Sequence, residues 1–325
     1  MAGLRSALAL EAHSPLVGAP ILVVDLAGDA PIAELEAAAA MLARVPCPTV
    51  GLVLETPSPV GSRLAPAFDI LVESEDELAP VRASAERCPL AAATLVQILR
   101  HGRTLDLHER LVAESLAYST LQAGPEFAAW LAARGGAPQR EGGDRPAVRA
   151  RREGARLHLT LDRPRNHNAF SVEMRDALAE GLMLALSDDS IEEVLLDGEG
   201  QSFCSGGDLD EFGSFPDPAT AHAVRSARSP ARLLSLCAER ARAVVHGACV
   251  GAGCELPAFC RRVCAREDAW FQLPEVGMGL VPGAGGTASL PSRIGRQRTA
   301  WLALSGSRID AAKALHCGLV DEIAQ

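Results

Sequence analysis

Two acidic side chains in one glycine-rich stretch are the first candidates for chemistry in this sequence. In residues 249–287, CVGAGCELPAFCRRVCAREDAWFQLPEVGMGLVPGAGGT, Glu255 lies in an apolar run behind Gly251-Ala252-Gly253, and Glu275 follows 20 positions later, after strand-like VCA and WFQ segments. Paired carboxylates on small-residue scaffolding suit general acid–base work, because burial can keep one protonated and the other ionised. The glycines precede what reads as a helix start, where unpaired backbone N–H groups and the positive end of the helix dipole face an incoming oxyanion. Taken singly, Glu255 reads as a first-turn acid favoured by the dipole and Glu275 as a surface loop residue.

The stretch resembles the crotonase superfamily, the enoyl-CoA hydratase/isomerase family. The family's G-x-G-C-E-L and P-E-V-x-x-G-L-x-P-G-A-G-G-T segments each carry one active-site glutamate, and here those positions are Glu255 and Glu275. Three further segments match in order: HNAFS (167–171), FCSGGDLDEF (203–212) and LSGSRIDAAKALHCGLVDEI (304–323). The resemblance covers about residues 150–325 and implies an α/β fold, the ClpP/crotonase spiral of repeated β-β-α turns. Family members doing other chemistry commonly lack one or both glutamates, so the filled positions favour chemistry over the structural readings.

The resemblance implies hydration of a 2-enoyl-CoA thioester. Glu255 would orient and deprotonate water, Glu275 would protonate the α-carbon, and the backbone N–H groups of Ser205 and Ala252 would hold the thioester oxygen. The residues alone do not divide the two roles between the glutamates. Backbone donors account for the small residues around both positions, since a Cβ would obstruct the thioester. Coenzyme A enters as part of the substrate, with no separate cofactor. Its expected contacts are Phe203, Cys204, Gly206, Gly207, Asp208, Gly251 and Gly283, with Arg163 and Arg165 for its phosphates. A solvated basic loop is the plain alternative for the two arginines. The basic pair that the family often carries on a Pro-Leu-Ala helix is absent: that place reads Val96-Gln97, with Arg100 and His101 nearby. Phe212, Phe215, Trp270 and Phe271 suit an acyl pocket or the core. Isomerisation, or another enolate-dependent step, would use the same scaffold. A catalytically silent CoA-binding paralogue is the rival from a different class, opposed by the two retained glutamates. A homotrimer or hexamer is also implied.

Composition bounds the remaining classes. A net charge of −10 argues against nucleic acid as the main partner. No window approaches 18 uninterrupted apolar residues, and Glu11 breaks the short N-terminal apolar run, so neither a membrane span nor a secretory signal is expected and the compartment reads as cytoplasmic. The nine cysteines are odd in number and lack C-x-x-C spacing, which favours small buried thiols over disulfides or a metal. His246 with Cys249 and Cys254 lacks zinc spacing. VPGAGGTA (281–288) contains a formal G-x-G-x-x-A dinucleotide fingerprint, but Pro282 interrupts the strand that motif requires. Gly283 instead reads as the start of a helix aimed at the pocket.

The elements that must position these residues are a late core and an unusual front half. Residues 1–75 read as α/β, with strands at 21–26, 49–55 and 68–73 and a helix at 32–45, a degenerate crotonase-like segment without chemistry of its own. Residues 76–134 turn helical and resemble the tail that normally follows a crotonase core, as if the closing helices stood at the front; an unrelated helical subdomain is the plain alternative. A Gly/Pro/charge-rich linker is expected over 135–150, then the catalytic core over 151–325, opening with a strand at 155–163 and a helix capped by Ser171. Pro257 falls early in the helix that should carry Glu255, where only a first-turn position tolerates it.

Overall fold

Short apolar runs bounded by Pro and Gly become strands here, and longer amphipathic runs become helices. The computed structural model describes residues 11–28, 34–135, 146–215 and 217–324. The first half runs β1 (Leu22–Asp25), α1 (Leu35–Leu42), β2 (Thr49–Leu52), α2 (Pro59–Leu64) and β3 (Ile70–Val72), then α3 (Glu75–Arg87), α4 (Pro89–His101), α5 (Leu107–Gln122) and α6 (Pro125–Arg134). Strands β1, β2 and β3 form a parallel sheet in that order. Parallel neighbours need a crossover, which α1 and α2 supply. This segment is therefore strand–helix–strand, and the β-β-α turn of the later core is not found in it among the described residues.

The second half begins with a hairpin, β4 (Val148–Glu153) and β5 (Arg156–Leu161), followed by α7 (Val172–Ser187), β6 (Glu193–Gly198), α8 (Pro218–Ala227) and α9 (Pro230–Leu236). Then come β7 (Ala241–Val245), β8 (Ala248–Val250), α10 (Ala252–Glu255), β9 (Arg262–Arg266), β10 (Trp270–Gln272), α11 (Gly286–Ile294), α12 (Arg296–Ser305), β11 (Ile309–Asp310), α13 (Ala311–Cys317) and β12 (Glu322–Ala324). The larger sheet has the order β12-β9-β7-β6-β5-β4 and is parallel except for the hairpin. The smaller has the order β11-β10-β8 and is extended by a bridge between Cys204 and Cys249. Each turn of the core thus puts one strand in the larger sheet and a short following strand in the smaller, as with β7 then β8 and β9 then β10.

The expected linker ends sooner than 150. Val148, Arg149 and Ala150 already belong to β4, with Val148 opposite Leu161. Only Val148 of that strand is buried, so an arginine-rich edge strand reads in sequence like a solvated linker. Residues 136–145 of the linker lie outside the described residues.

The front half is not a separate unit. Leu95, Val96 and Leu99 of α4 share one buried cluster with Leu290 of α11 and Leu302 of α12. Each such side chain contributes about 1.5–3 kcal/mol by leaving water. A polar clasp joins the same elements. Asp69, fully buried, accepts Thr49 N–H (2.9 Å), Thr49 Oγ1 (2.8 Å), Arg100 Nε (2.8 Å) and Arg296 Nη1 (2.8 Å). Trp301 Nε1 donates to the Glu77 carbonyl (3.3 Å) nearby. Helix α5 is anchored by a capping box, Asp106 Oδ1 accepting Glu109 N–H (2.8 Å) and Glu109 Oε2 accepting Asp106 N–H (2.8 Å). All nine cysteines are free. Burial pushes the thiols of Cys204 and Cys260 up to about 12.

Because Asp69 faces two guanidinium groups away from water, Asp69→Asn should lower the denaturant-measured stability by about 3–5 kcal/mol, leaving two cations without their counter-charge. Arg151→Ala, in an exposed pair with Glu153, should change it by less than about 1 kcal/mol. Equal effects of the two substitutions would contradict the clasp.

Candidate active site

The site begins where the chain turns from β8 into α10. Gly251 takes φ +49°, and a Cβ built there would lie 2.4 Å from Glu275 Oε1, so only glycine lets the Glu275 carboxyl lie against this turn. The helix carrying Glu255 is shorter than expected: α10 is a single turn, followed at once by a 3-10 turn over Pro257–Phe259. Pro257 has no N–H and cannot continue the ladder. A one-turn helix has little macrodipole, so stabilisation of an anion here rests on individual N–H groups. The N–H of Ala252 has no acceptor among the described residues, and Ala252 lines the cavity.

The expected partner donor, Ser205, is spent elsewhere. Its N–H donates to the His167 carbonyl (3.0 Å), and Ser205 does not line the cavity. The reason lies in the HNAFS segment, where His167 and Asn168 both adopt left-handed backbone, at φ 51° and 52°. Buried Asn168 ties this loop to its surroundings: Oδ1 accepts Arg163 N–H (2.7 Å), and Nδ2 donates to the carbonyls of Glu199 (2.9 Å) and Ser202 (2.9 Å). The next residues make a parallel bridge, Phe170 N–H donating to Gly206 C=O (2.7 Å) and Asp208 N–H to Phe170 C=O (3.2 Å). That pattern leaves the N–H of Gly207, between them, without an acceptor among the described residues, and Gly207 lines the cavity. In this loop the N–H left without an acceptor at the cavity is therefore that of Gly207, and not that of Ser205.

Of the five carboxyl residues lining this cavity of about 190 Å³, Asp208 and Glu211 lie on the loop after β6, and three are buried acids: Glu255, Glu275 and, unforeseen, Glu114 from α5. Glu255 Oε2 accepts both Ala284 N–H and Gly286 N–H, each at 2.8 Å, so its Oε1 has no donor among the described residues. Glu114 takes the alternate groups, Gly285 N–H on Oε1 (2.7 Å) and Thr287 N–H (2.8 Å) and Oγ1–H (2.7 Å) on Oε2. Glu275 Oε2 is enclosed with no hydrogen-bond partner among the described residues. Burial pushes Glu275 up to about 8, reinforced by the charge of Glu114. Burial, then Glu275 and Glu114, pushes Glu255 well above the usual carboxylate range, against its two N–H donors. Glu114 rises to about 7 for the same first reason, opposed by Thr287 and Gly285. Crowded acids of this kind titrate together, so the protons they hold are shared among the group rather than fixed by one residue.

The remaining expected residues divide. Asp208 and Gly283 line the cavity, as do Phe212 and Phe215. Phe203 and Cys204 are buried, and neither they nor Gly206 and Gly251 line it. Arg163 pairs with Glu173 (2.5 Å) and Arg165 is exposed; neither reaches the cavity. The cations that do line it are Arg175, Arg225 and Arg228. Trp270 packs under the Arg308 guanidinium (4.0 Å to the ring centroid) and Phe271 is core. Sequence reasoning missed Glu114, Tyr118 and Arg225. The signal was present: Leu107, Leu111, Glu114, Tyr118 and Leu121 recur every three or four residues in α5, an inward stripe with an acid in an apolar place. Tyr118, the chain's one tyrosine, lies over Gly283, where a Cβ would come within 2.4 Å of its ring, and Arg225 stacks on it (4.8 Å to the centroid). The dinucleotide-like Gly283–Thr287 loop has its N–H groups at 284–287 engaged by the chain's own carboxylates. Among the described residues no metal-ligating cluster occurs, and no helix is long and apolar enough to cross a membrane.

Comparison with known proteins bears on the same half of the chain. The family model for enoyl-CoA hydratase/isomerase matches residues 151–325. The 2,3-dehydroadipyl-CoA hydratase of Escherichia coli is 37% identical over 167 residues, 51% of this chain and 65% of that protein. The 1,2-epoxyphenylacetyl-CoA isomerase of the same species is 35% identical over 171 residues, again 51% and 65%. The chain thus spans just under two thirds of the length of these relatives. Among solved structures, the enoyl-CoA hydratase of Mycobacterium smegmatis matches with 30% identity and a TM-score of 0.51, over 55% of this chain and 70% of that one. An enoyl-CoA hydratase/isomerase of Mycobacterium paratuberculosis matches with 30% identity and a TM-score of 0.51, over 55% and 73%. With a family model spanning more than half its length and a β-β-α core that superposes on solved members, the chain belongs to the enoyl-CoA hydratase/isomerase family of the crotonase superfamily.

Proposed function

We propose that the protein is an enoyl-CoA hydratase, adding water across the 2,3 double bond of an acyl-CoA thioester. The observation that carries this reading is the convergence on one cavity of Glu255, Glu275 and two unengaged N–H groups, those of Ala252 and Gly207. A thioester oxygen placed between the two N–H groups gains charge as the enolate forms, and donors fixed in advance need no reorganisation to meet it. Two N–H groups on Oε2 favour the ionised form of Glu255, leaving Oε1 to take a proton from water. The unpartnered Oε2 of Glu275 favours the proton there, ready for the α-carbon. Water addition and protonation then balance without an external reagent: water's oxygen bonds C3, its proton goes to Glu255, and C2 receives the proton of Glu275. Arg175 and Arg228, which line the cavity as Arg163 does not, place positive charge suited to the phosphates of coenzyme A there, although both also pair with Asp176.

The helices 76–134 serve, in this reading, as the segment that closes the family's core from its far end, placed here ahead of it; the support is that α5 contributes five residues to the cavity wall. A trimer or hexamer and a cytoplasmic location complete the proposal. Isomerisation or another enolate-dependent step is favoured by one observation, the isomerase among the similar proteins, and would give a product with no oxygen gained from water.

Glu255→Gln and Glu275→Gln should each lower loss of enoyl absorbance about 10²–10⁴-fold, the usual weight of a general acid or base. The wild-type product should carry ¹⁸O from labelled water. Turnover without label would favour the isomerase, and equal turnover by wild type and Glu275→Gln would sink the acid–base assignment. Stability should also report the acids. Because the folded Glu275 carboxyl keeps its proton up to about 8, against 4.5 ordinarily, the folded chain holds a proton that the unfolded chain releases between those values. Its contribution is full below 4.5 and is lost as pH rises through 8, at up to about 1.4 kcal/mol per pH unit. Wild-type unfolding midpoints should fall across this range, and Glu275→Gln should flatten the fall; an unchanged slope would show that Glu275 is ionised throughout.

A further inference from the structure

We infer that Glu114, on a helix outside the family-matched core, is a positioning residue of this active site: it holds the loop that orients Glu255, and its charge controls where protons sit on the two facing glutamates. The inference rests on the hydratase reading for its activity measurements only.

The geometry is an alternation. Four successive N–H groups run from the turn into the start of α11, and they are shared in strict order: Ala284 to Glu255, Gly285 to Glu114, Gly286 to Glu255 and Thr287 to Glu114. The two carboxylates therefore grip opposite sides of one short segment, with Gly285 at φ +102° making the alternation sterically accessible. Capping alone does not require this. A serine or aspartate next to the helix would satisfy such donors locally, whereas Glu114 comes from 171 residues away and is 3% exposed beside two other acids, an arrangement that is costly unless the acids act together.

The groups facing its carboxyl are few. Tyr118 lies one turn along α5, Arg225 approaches from α8, Glu255 from α10 and Glu275 from the turn after β10. Helix α11 presents Thr287 and backbone N–H; α4, α6 and α9 contribute no hydrogen bond or ion pair to it among the described residues. Arg225 does not form an ion pair with it. Its Nε donates to Ser115 Oγ (3.1 Å) and its Nη1 to Gln122 Oε1 (3.3 Å). The charge of Glu114, offset only in part by the Arg225 guanidinium, acts on Glu255 and Glu275 at the wall of one cavity, where burial of all three carboxyls weakens screening.

The test is Glu114→Gln, which keeps the shape and removes the charge, compared with Glu114→Asp, which keeps the charge and draws it back by one methylene. Near-ultraviolet circular dichroism checks the fold, and ¹³C-carboxyl NMR follows the titrations of Glu255 and Glu275 without any substrate. In folded Glu114→Gln both carboxyls should titrate at lower pH than in wild type, the acidic limb of the rate profile should move the same way, and kcat should fall about 100-fold with KM nearly unchanged. In Glu114→Asp kcat should fall while the titrations stay nearer wild type. Unchanged titrations and kcat in folded Glu114→Gln would overturn the inference. Should that variant not fold, Thr287→Val, which removes one hydroxyl donor to Glu114, decides: lowered kcat at unchanged KM supports it and unaltered kcat overturns it. If wild type turns over no enoyl-CoA, the hydratase reading fails by itself. The NMR titrations still decide the role of Glu114, downward shifts supporting it and no shift overturning it.

Discussion

The structure depends on one short turn, Ala284–Thr287, whose donors are divided between a carboxylate of the core and a carboxylate of the front half. Buried N–H groups must be satisfied, and here the groups that satisfy them are also ionisable. Any rearrangement that frees one acid leaves donors unpaired, at about 1–3 kcal/mol each. The acids are consequently held in place by the backbone they cap. Burial raises all three proton affinities and proximity adds to it for Glu255 and Glu275; that proximity is imposed by main-chain geometry rather than by attraction between the acids.

The rest of the fold can be understood as bringing this turn to its partners. The β7–β8 reversal delivers Glu255 and the N–H of Ala252; β9 and β10 deliver Glu275; and the Asn168 knot fixes the Phe170–Gly207 bridge that frees the second N–H. The Asp69 clasp and the apolar contact of α4 with α11 and α12 hold the front half so that α5 reaches the same point. Packing, not chain order, decides what a cavity wall is made of.

Much of this was legible in the sequence, for reasons specific to each residue. Glu255 and Glu275 announce themselves because their neighbours are small, apolar and glycine-rich, and the strands and helices were visible as runs bounded by Pro and Gly. The engagement of the Ser205 N–H by His167 was not legible, because which N–H in FCSGGD remains free depends on the bridge to Phe170, and alternation along an irregular loop leaves no trace in residue types. Arg163 is basic and close in sequence to the HNAFS turn, yet Glu173, ten residues on, takes it. The strand β4 was hidden because an edge strand with one inward face needs few apolar residues. Glu114 was hidden by distance, although an acid at an inward position of α5 is the kind of misfit that marks a site.

The separation of Glu114 from its partners also bears on how the molecule assembles. A contact spanning 171 residues closes a long loop and belongs to the class of pairings that form late and slowly. As the chain is synthesised, α5 is made well before the turn that receives its acid, and until then it carries a half-polar stripe that neither water nor an apolar core suits. The acid of the front half thus waits for donors that are made last, and incompletely packed surface of that kind is what exposes a growing chain to aggregation.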